Sequence, residues 1–312
     1  MSLSNLLIDK IWKPWSQFWF ESDGRKQLAL FRPAFALLML FFSISRAADL
    51  RLFYTSSGIM PLPALQLIPG TEFRVSILKF TDSMVLIWGM QVALLVSLSL
   101  LAFNIWPRFS TIVAYVAQLS FMNRNMAVSY GADTISTVFL FYLCFADFRP
   151  SDSSRKSDLR ATLGSMAYRL SQIQLCIIYA YAGLDKARGY SWWNGEALWY
   201  VMANNQLRHM NFDWMAHFPV VVVFLTYSTL FWEIYFPVMV WVRRIRYPVL
   251  VFGVFLHIGI SMFMGLKSFG ILMILLYLLF LQDSDAVKIA QCLRKYAVPR
   301  KVFGQISDQS NV

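Results

Sequence analysis

The chain has 312 residues and a net charge of +11, with 58% hydrophobic, 17% aromatic and only 14% charged residues. Soluble domains carry roughly 25% charged residues, so this composition argues against a water-soluble globule, and against a disordered chain, which would be poor in apolar residues. The bases sit in short loops between apolar runs, where membrane topology places them, rather than on a patch suited to nucleic acid.

In chain order, Lys10 and Lys13 are not followed by the apolar stretch of a cleavable signal peptide. Leu7, Ile11, Trp15, Phe18 and Trp19 fall at helical spacing with Pro14 as an interruption. Residues 1–26 therefore read as an amphipathic segment lying on a membrane surface. Residues 27–283 read as one all-α polytopic transmembrane helix bundle of about eight spans. These lie at 27–46, 83–103, 107–121, 133–148, 168–184, 219–242, 247–264 and 268–281. Several are short, and roughly seven to nine spans fit the pattern. Residues 151–160 form a polar loop, 196–202 an interfacial or re-entrant piece, and 284–312 a basic cytoplasmic tail. No internal repeat or soluble accessory domain is visible. On this division Lys and Arg favour one side two to one, which places both termini in the cytoplasm. Cys144 and Cys176 lie in apolar runs and Cys292 in the tail, so no disulfide framework and no metal site is expected.

The same topology puts the 123–125 turn, Asp133 and the 186–196 stretch on the outer face. Ionisable groups at such depths are costly and often functional. Lys186 arrives as its span ends, after a small Ala182–Gly183 pair that allows close helix packing. It reads either as a snorkelling cation beside the interfacial Trp192 and Trp193, or as a lysine in a partly desolvated pocket, where burial disfavours the charged form. Asp133 reads as an N-cap of the fourth span. Arg124 is either a headgroup anchor or a bidentate holder of a carboxylate. Glu233 lies roughly 13 Å and His257 roughly 15 Å from the cytoplasmic ends of consecutive spans, at ~1.5 Å per residue, so the two can pair. Pro237 removes the N–H that would bond the Glu233 carbonyl. Gln172 and Gln174 read as interhelical hydrogen-bond glue. Phosphate loops, metal-ligand spacings and nucleophile elbows are absent.

At residues 181–198, YAGLDKARGYSWWNGEAL, the chain resembles the HTTM domain, the membrane part of vitamin K-dependent γ-glutamyl carboxylases. The resemblance runs from about residue 27 to 283 and is strongest in a span ending Tyr179, Ala182, Gly183 and Lys186, followed by Trp193 and Gly195. The 123–133 turn and the late-span His257 also resemble family features. The resemblance implies that Lys186 deprotonates vitamin K hydroquinone or another reduced quinone. Oxygen then yields a strong base that removes a γ-proton from peptide glutamate, and CO2 adds to the carbanion. Carried over, Lys186 is the base, His257 lines the quinone cavity and Asn125 lies at the substrate end. Arg124, Asp133, Trp193 and Glu233 complete the expected substrate- or quinone-binding set.

The carboxylases continue into a large extramembrane region that these 312 residues do not contain. A non-catalytic role therefore stays open beside the enzymatic one. It is maturation or export of a secreted peptide, as for stand-alone bacterial family members similar to a factor that matures a sporulation-delaying toxin. The expected partners are membrane lipid and a secreted peptide or protein, not nucleic acid, and the expected location is the bacterial cytoplasmic membrane. A transporter would show inverted repeats or paired broken helices, and neither is visible.

Overall fold

The computed structural model describes residues 8–68, 70, 73–149, 159–204 and 209–296, all-helical and without a strand among them. The principal helices are α1 (Lys13–Phe20), α2 (Arg25–Ala47), α3 (Met84–Ala102), α4 (Pro107–Arg124), α5 (Gly131–Phe145) and α6 (Leu159–Ala187). They continue with α7 (Ala197–Ala203), α8 (Pro219–Met239), α9 (Arg246–Phe263), α10 (Lys267–Leu276) and α11 (Asp283–Tyr296). Each expected span overlaps a helix. Four stretches are long and apolar enough to cross a membrane: Asp9–Ala47, which contains α2, then α3, α8 and α9. The helices Gly131–Phe145 and Lys267–Phe280 are apolar but shorter.

Two compact units divide the chain, one of residues 1–170 with 281–312, the other of residues 171–280. In the first, α2 packs on α3, α3 on α4 and α4 on α5. Several polar groups within these apolar helices are satisfied locally, as a low dielectric favours. Thr111 donates to the Pro107 carbonyl at 2.6 Å and Ser120 to that of Val116 at 2.7 Å, each folding its hydroxyl back on its own helix. Gln91 donates to the Ser43 carbonyl at 2.6 Å, joining α3 to α2. Arg32, buried in α2, donates to the Asn104 side chain in the α3–α4 turn. Asn104 itself holds a left-handed backbone, φ 59°, a conformation asparagine tolerates better than most residues.

At its N-terminus the structure departs from expectation. Pro14 does not interrupt a helix; it sits in the first turn of α1, after a π-helical turn at Ile8–Trp12, where its missing N–H costs nothing. Leu7 lies outside the described residues. Arg169 on α6 donates to the Phe18 carbonyl at 3.0 Å and covers the Phe18 ring at 4.4 Å, so α1 is tied down within its unit.

The first part of the expected tail is the amphipathic helix α11, whose Ala286 and Ala290, one turn apart, bury against Leu30. Asp283 at its start accepts from Gln27 at 2.9 Å and from Lys26 at 3.1 Å. Residues 297–312 lie outside the described residues, as do 151–158 of the expected polar loop.

The second unit holds α6 from Ser171 onward and helices α7 to α10. Tyr179, Trp232, Phe236, Tyr277 and Phe280 form its aromatic centre, with ring centroids 4.4–6.5 Å apart. Met202, Phe212, Met215 and Val222 form a second cluster under α7. The segment 196–202, read as interfacial or re-entrant, falls on α7.

Candidate functional site

Tyr179, Gly183 and Lys186 are spaced four and three residues apart on α6, which places them on one helix face. Gly183 is where that face meets α8. A Cβ there would lie 2.8 Å from the Ile234 nitrogen and 3.0 Å from the Glu233 carbonyl carbon. Backbone thus touches backbone, as the small-residue pair leads one to expect.

One turn beyond this crossing, Lys186 Nζ meets Glu233 Oε2 at 2.8 Å. The Glu233 side chain is 7% exposed and that of Lys186 29%, so the carboxylate sits inside and the ammonium at the boundary. The Trp192 ring centroid lies 5.6 Å from the ammonium, within cation–π range.

Two turns back along α6, the Tyr179 hydroxyl lies 2.7 Å from His257 Nε2 on α9 and 2.6 Å from the Tyr277 hydroxyl. All three side chains are buried. Gly253, one turn before His257, admits this cluster: a Cβ there would overlap the Tyr277 hydroxyl and the Trp232 ring. Trp232 donates to the Val249 carbonyl at 3.0 Å. His257 Nδ1 is buried and has no hydrogen-bond partner among the described residues.

Glu233 and His257, whose depths allow a pair, each turn instead to α6, one to Lys186 and the other to Tyr179. The physical reason is the glycine crossing, which brings α6 rather than α9 against the Glu233 turn. Trp193 is exposed; its indole donates to the Ala187 carbonyl at 2.6 Å, and its own carbonyl accepts from Tyr227. Trp192, not Trp193, covers the lysine.

Arg124, Asn125 and Asp133 belong to the other unit, and each has partners there. Arg124 is fully buried, donating to the Met60 carbonyl at 2.9 Å and, at one point only, to Asp82 at 3.5 Å. Asn125 donates to the Phe53 carbonyl at 2.5 Å and accepts from the Ala127 N–H at 3.0 Å. Both tie the segment between α2 and α3 to the end of α4. Asp133 is not the N-cap of α5. Tyr130 holds that place, and Asp133, three residues on, reaches back to accept the Tyr130 N–H at 3.2 Å. Gln118 donates to Asp133 at 3.4 Å and accepts from Arg46 at 3.1 Å, making a short polar chain inside the unit.

Tyr277 and Trp232 were not legible as site residues, being two aromatics among 14 Tyr and 11 Trp. One signal was available: a tyrosine inside an apolar run must bring its hydroxyl to a partner.

A cleft of about 240 Å³ opens between the start of α8 and the segments before it, lined by Gly195, Glu196, Trp199, Met215, Pro219 and Val222. Neither Lys186 nor His257 lines it. Glu196 accepts from Asn194 at 2.8 Å and from the Tyr200 hydroxyl at 3.1 Å, and that hydrogen bond raises the Tyr200 phenol above its usual pKa. Among the described residues no three His, Cys, Asp or Glu side chains gather as a metal site would need.

The chain is similar to YitO, an uncharacterized protein of Bacillus subtilis (strain 168). The two are 20% identical over 265 residues, which cover 81% of this chain and 86% of that one. No protein-family profile matches the sequence. No solved structure is significantly similar.

Proposed function

We propose that this protein is a membrane enzyme of the vitamin K-dependent γ-carboxylase type, with Lys186 as its base. The observation that carries the reading is the Lys186–Glu233 pair at 2.8 Å, its carboxylate inside an apolar helical unit. Glu233 holds the lysine head at the edge of the unit, where it can take a proton from a ligand hydroxyl. The residues that would meet a hydroquinone are Lys186 at the unit's edge and the buried, unpartnered Nδ1 of His257. When bound, reduced vitamin K or another reduced quinone supplies, with O2, the base strength needed to remove a glutamate γ-proton before CO2 adds.

The test is incorporation of labelled CO2 into a glutamate peptide by the purified protein with reduced quinones. Incorporation that depends on quinone supports the reading. Its absence with several quinones and peptides, in folded protein, rejects it.

The location that goes with this reading is the bacterial cytoplasmic membrane, with about eight spans and both termini inside, supported by the apolar helices and the two-to-one division of bases. Cys292 on α11 is exposed. A membrane-impermeant maleimide should label it in inside-out vesicles and not in right-side-out ones; the reverse pattern would invert the topology.

The cleft beneath α7 favours a second reading, a non-catalytic factor that holds a hydrophobic secreted peptide for maturation or export. Tyr190, Trp193, Tyr200 and Trp214 are exposed in the neighbouring segments, and aromatic surfaces of this kind suit peptide capture. On this reading a photo-crosslinker at Trp199 captures peptide, and Lys186→Ala retains function. Loss of function in that variant would exclude it.

A further inference from the structure

The buried Tyr179–His257–Tyr277 cluster carries three hydrogens and two hydrogen bonds, so one hydrogen is left over. Where it sits follows from acid and base strength. A phenolic O–H is a stronger acid than an imidazole N–H, and an imidazole nitrogen is a stronger base than a phenol oxygen. The 2.7 Å contact is therefore O–H···N, with Tyr179 donating to His257 Nε2. Tyr277 donates in turn to the Tyr179 oxygen at 2.6 Å, and two bonds running in one direction reinforce each other. The leftover hydrogen is then on His257 Nδ1, the nitrogen that has no partner. A buried N–H without an acceptor is strongly unfavourable, and His257 is only 2% exposed.

We propose that Tyr179 and Tyr277 are positioning residues that fix His257 as its Nδ1–H tautomer, so that Nδ1–H donates a hydrogen bond to an acceptor oxygen of the ligand. This deepens the proposed function and rests on it for the ligand class: a quinone carbonyl or the ring oxygen it becomes on reduction. A donor aimed at that oxygen stabilises negative charge as the hydroxyl proton leaves. Glu233 and Lys186 handle the proton; His257 holds the oxygen.

The chain has three histidines, so nitrogen-15 histidine spectra of the full chain in lipid nanodiscs are readable, and His257→Gln assigns the signal. The wild type should show a protonated Nδ1 and a bare Nε2. Tyr179→Phe removes the donor to Nε2 and should move the proton there, with about a tenfold loss of menadione affinity, the size of one hydrogen bond. Tyr277→Phe, which keeps the ring, should give a mixture of tautomers, and serves if Tyr179→Phe fails to fold. Menadione should shift the wild-type Nδ1 signal. A wild-type proton on Nε2 overturns the positioning role. A protonated Nδ1 that saturating menadione leaves unmoved overturns the donor role. Absence of CO2 incorporation while Nδ1 answers to menadione rejects the carboxylase reading alone and leaves this assignment standing.

Discussion

Replacing Lys186 with Ala should abolish quinone-dependent CO2 incorporation, a loss of at least about 10²-fold for a general base, and should also weaken the fold. The second effect arises because Glu233, 7% exposed, is left as a buried carboxylate without its cation; breaking such a pair from one side costs about 3–5 kcal/mol. One variant therefore cannot separate chemistry from stability. The double replacement Lys186→Met with Glu233→Leu removes both charges and keeps the volume, and pairs so replaced are often neutral or stabilising. Its thermal midpoint should return to the wild-type value or above while incorporation stays at zero. If activity returns with stability, the lysine is structural. Glu233→Gln should lower activity with a smaller loss of midpoint, since the lysine head can still reach solvent.

The second large effect is expected at Gly183. Its missing Cβ would meet the Ile234 nitrogen and Glu233 carbon, which are backbone and cannot rotate aside. Gly183→Ala should separate α6 from α8 at this turn, with the 1–3 kcal/mol typical of overpacking, about. Gly183→Leu should prevent folding of the unit. Activity should fall further than stability alone accounts for, because separating the helices lengthens the Lys186–Glu233 contact that the crossing sets. A Gly183→Ala protein with unchanged midpoint and unchanged turnover would show that the crossing does not govern the site. Gly89 is the control: a Cβ there meets nothing, and Gly89→Ala should be neutral or better within a helix.

The apolar helices were legible because long runs of Leu, Val, Ile and Phe announce themselves by length. Helix ends were less so. Hydropathy marks α6 only from residue 168, whereas the helix begins at Leu159, since Arg160, Thr162 and Ser165 lower hydropathy without opposing helix formation. Asp133 shows the same limit at finer scale: an acidic residue at a helix start announces a cap, but whether it stands at the cap or three residues inside depends on where the first helical turn closes. In the site, Lys186, Glu233 and His257 stood out because charged or titratable groups are rare in such sequences. Their partners did not, because pairing is set by the glycine crossing and by which phenols reach inward. Arg124 stood open between a headgroup anchor and a carboxylate holder, and Asn125 was placed at the substrate end; their side chains donate to the carbonyls of Met60 and Phe53, and Arg124 also to Asp82. Sequence cannot tell a side chain that serves a ligand from one that serves a loop.

Helix α11 belongs to the first unit although all of residues 171–280 intervene. During synthesis the N-terminal helices must therefore wait. Lys26, Gln27 and Leu30 meet Asp283, Ala286 and Ala290 only after the second unit has been made. The first unit closes last, over a loop of some 250 residues whose entropy the chain must overcome. Until then the Leu30 surface lacks its cover of Ala286 and Ala290, and a stop codon anywhere before residue 283 leaves it so.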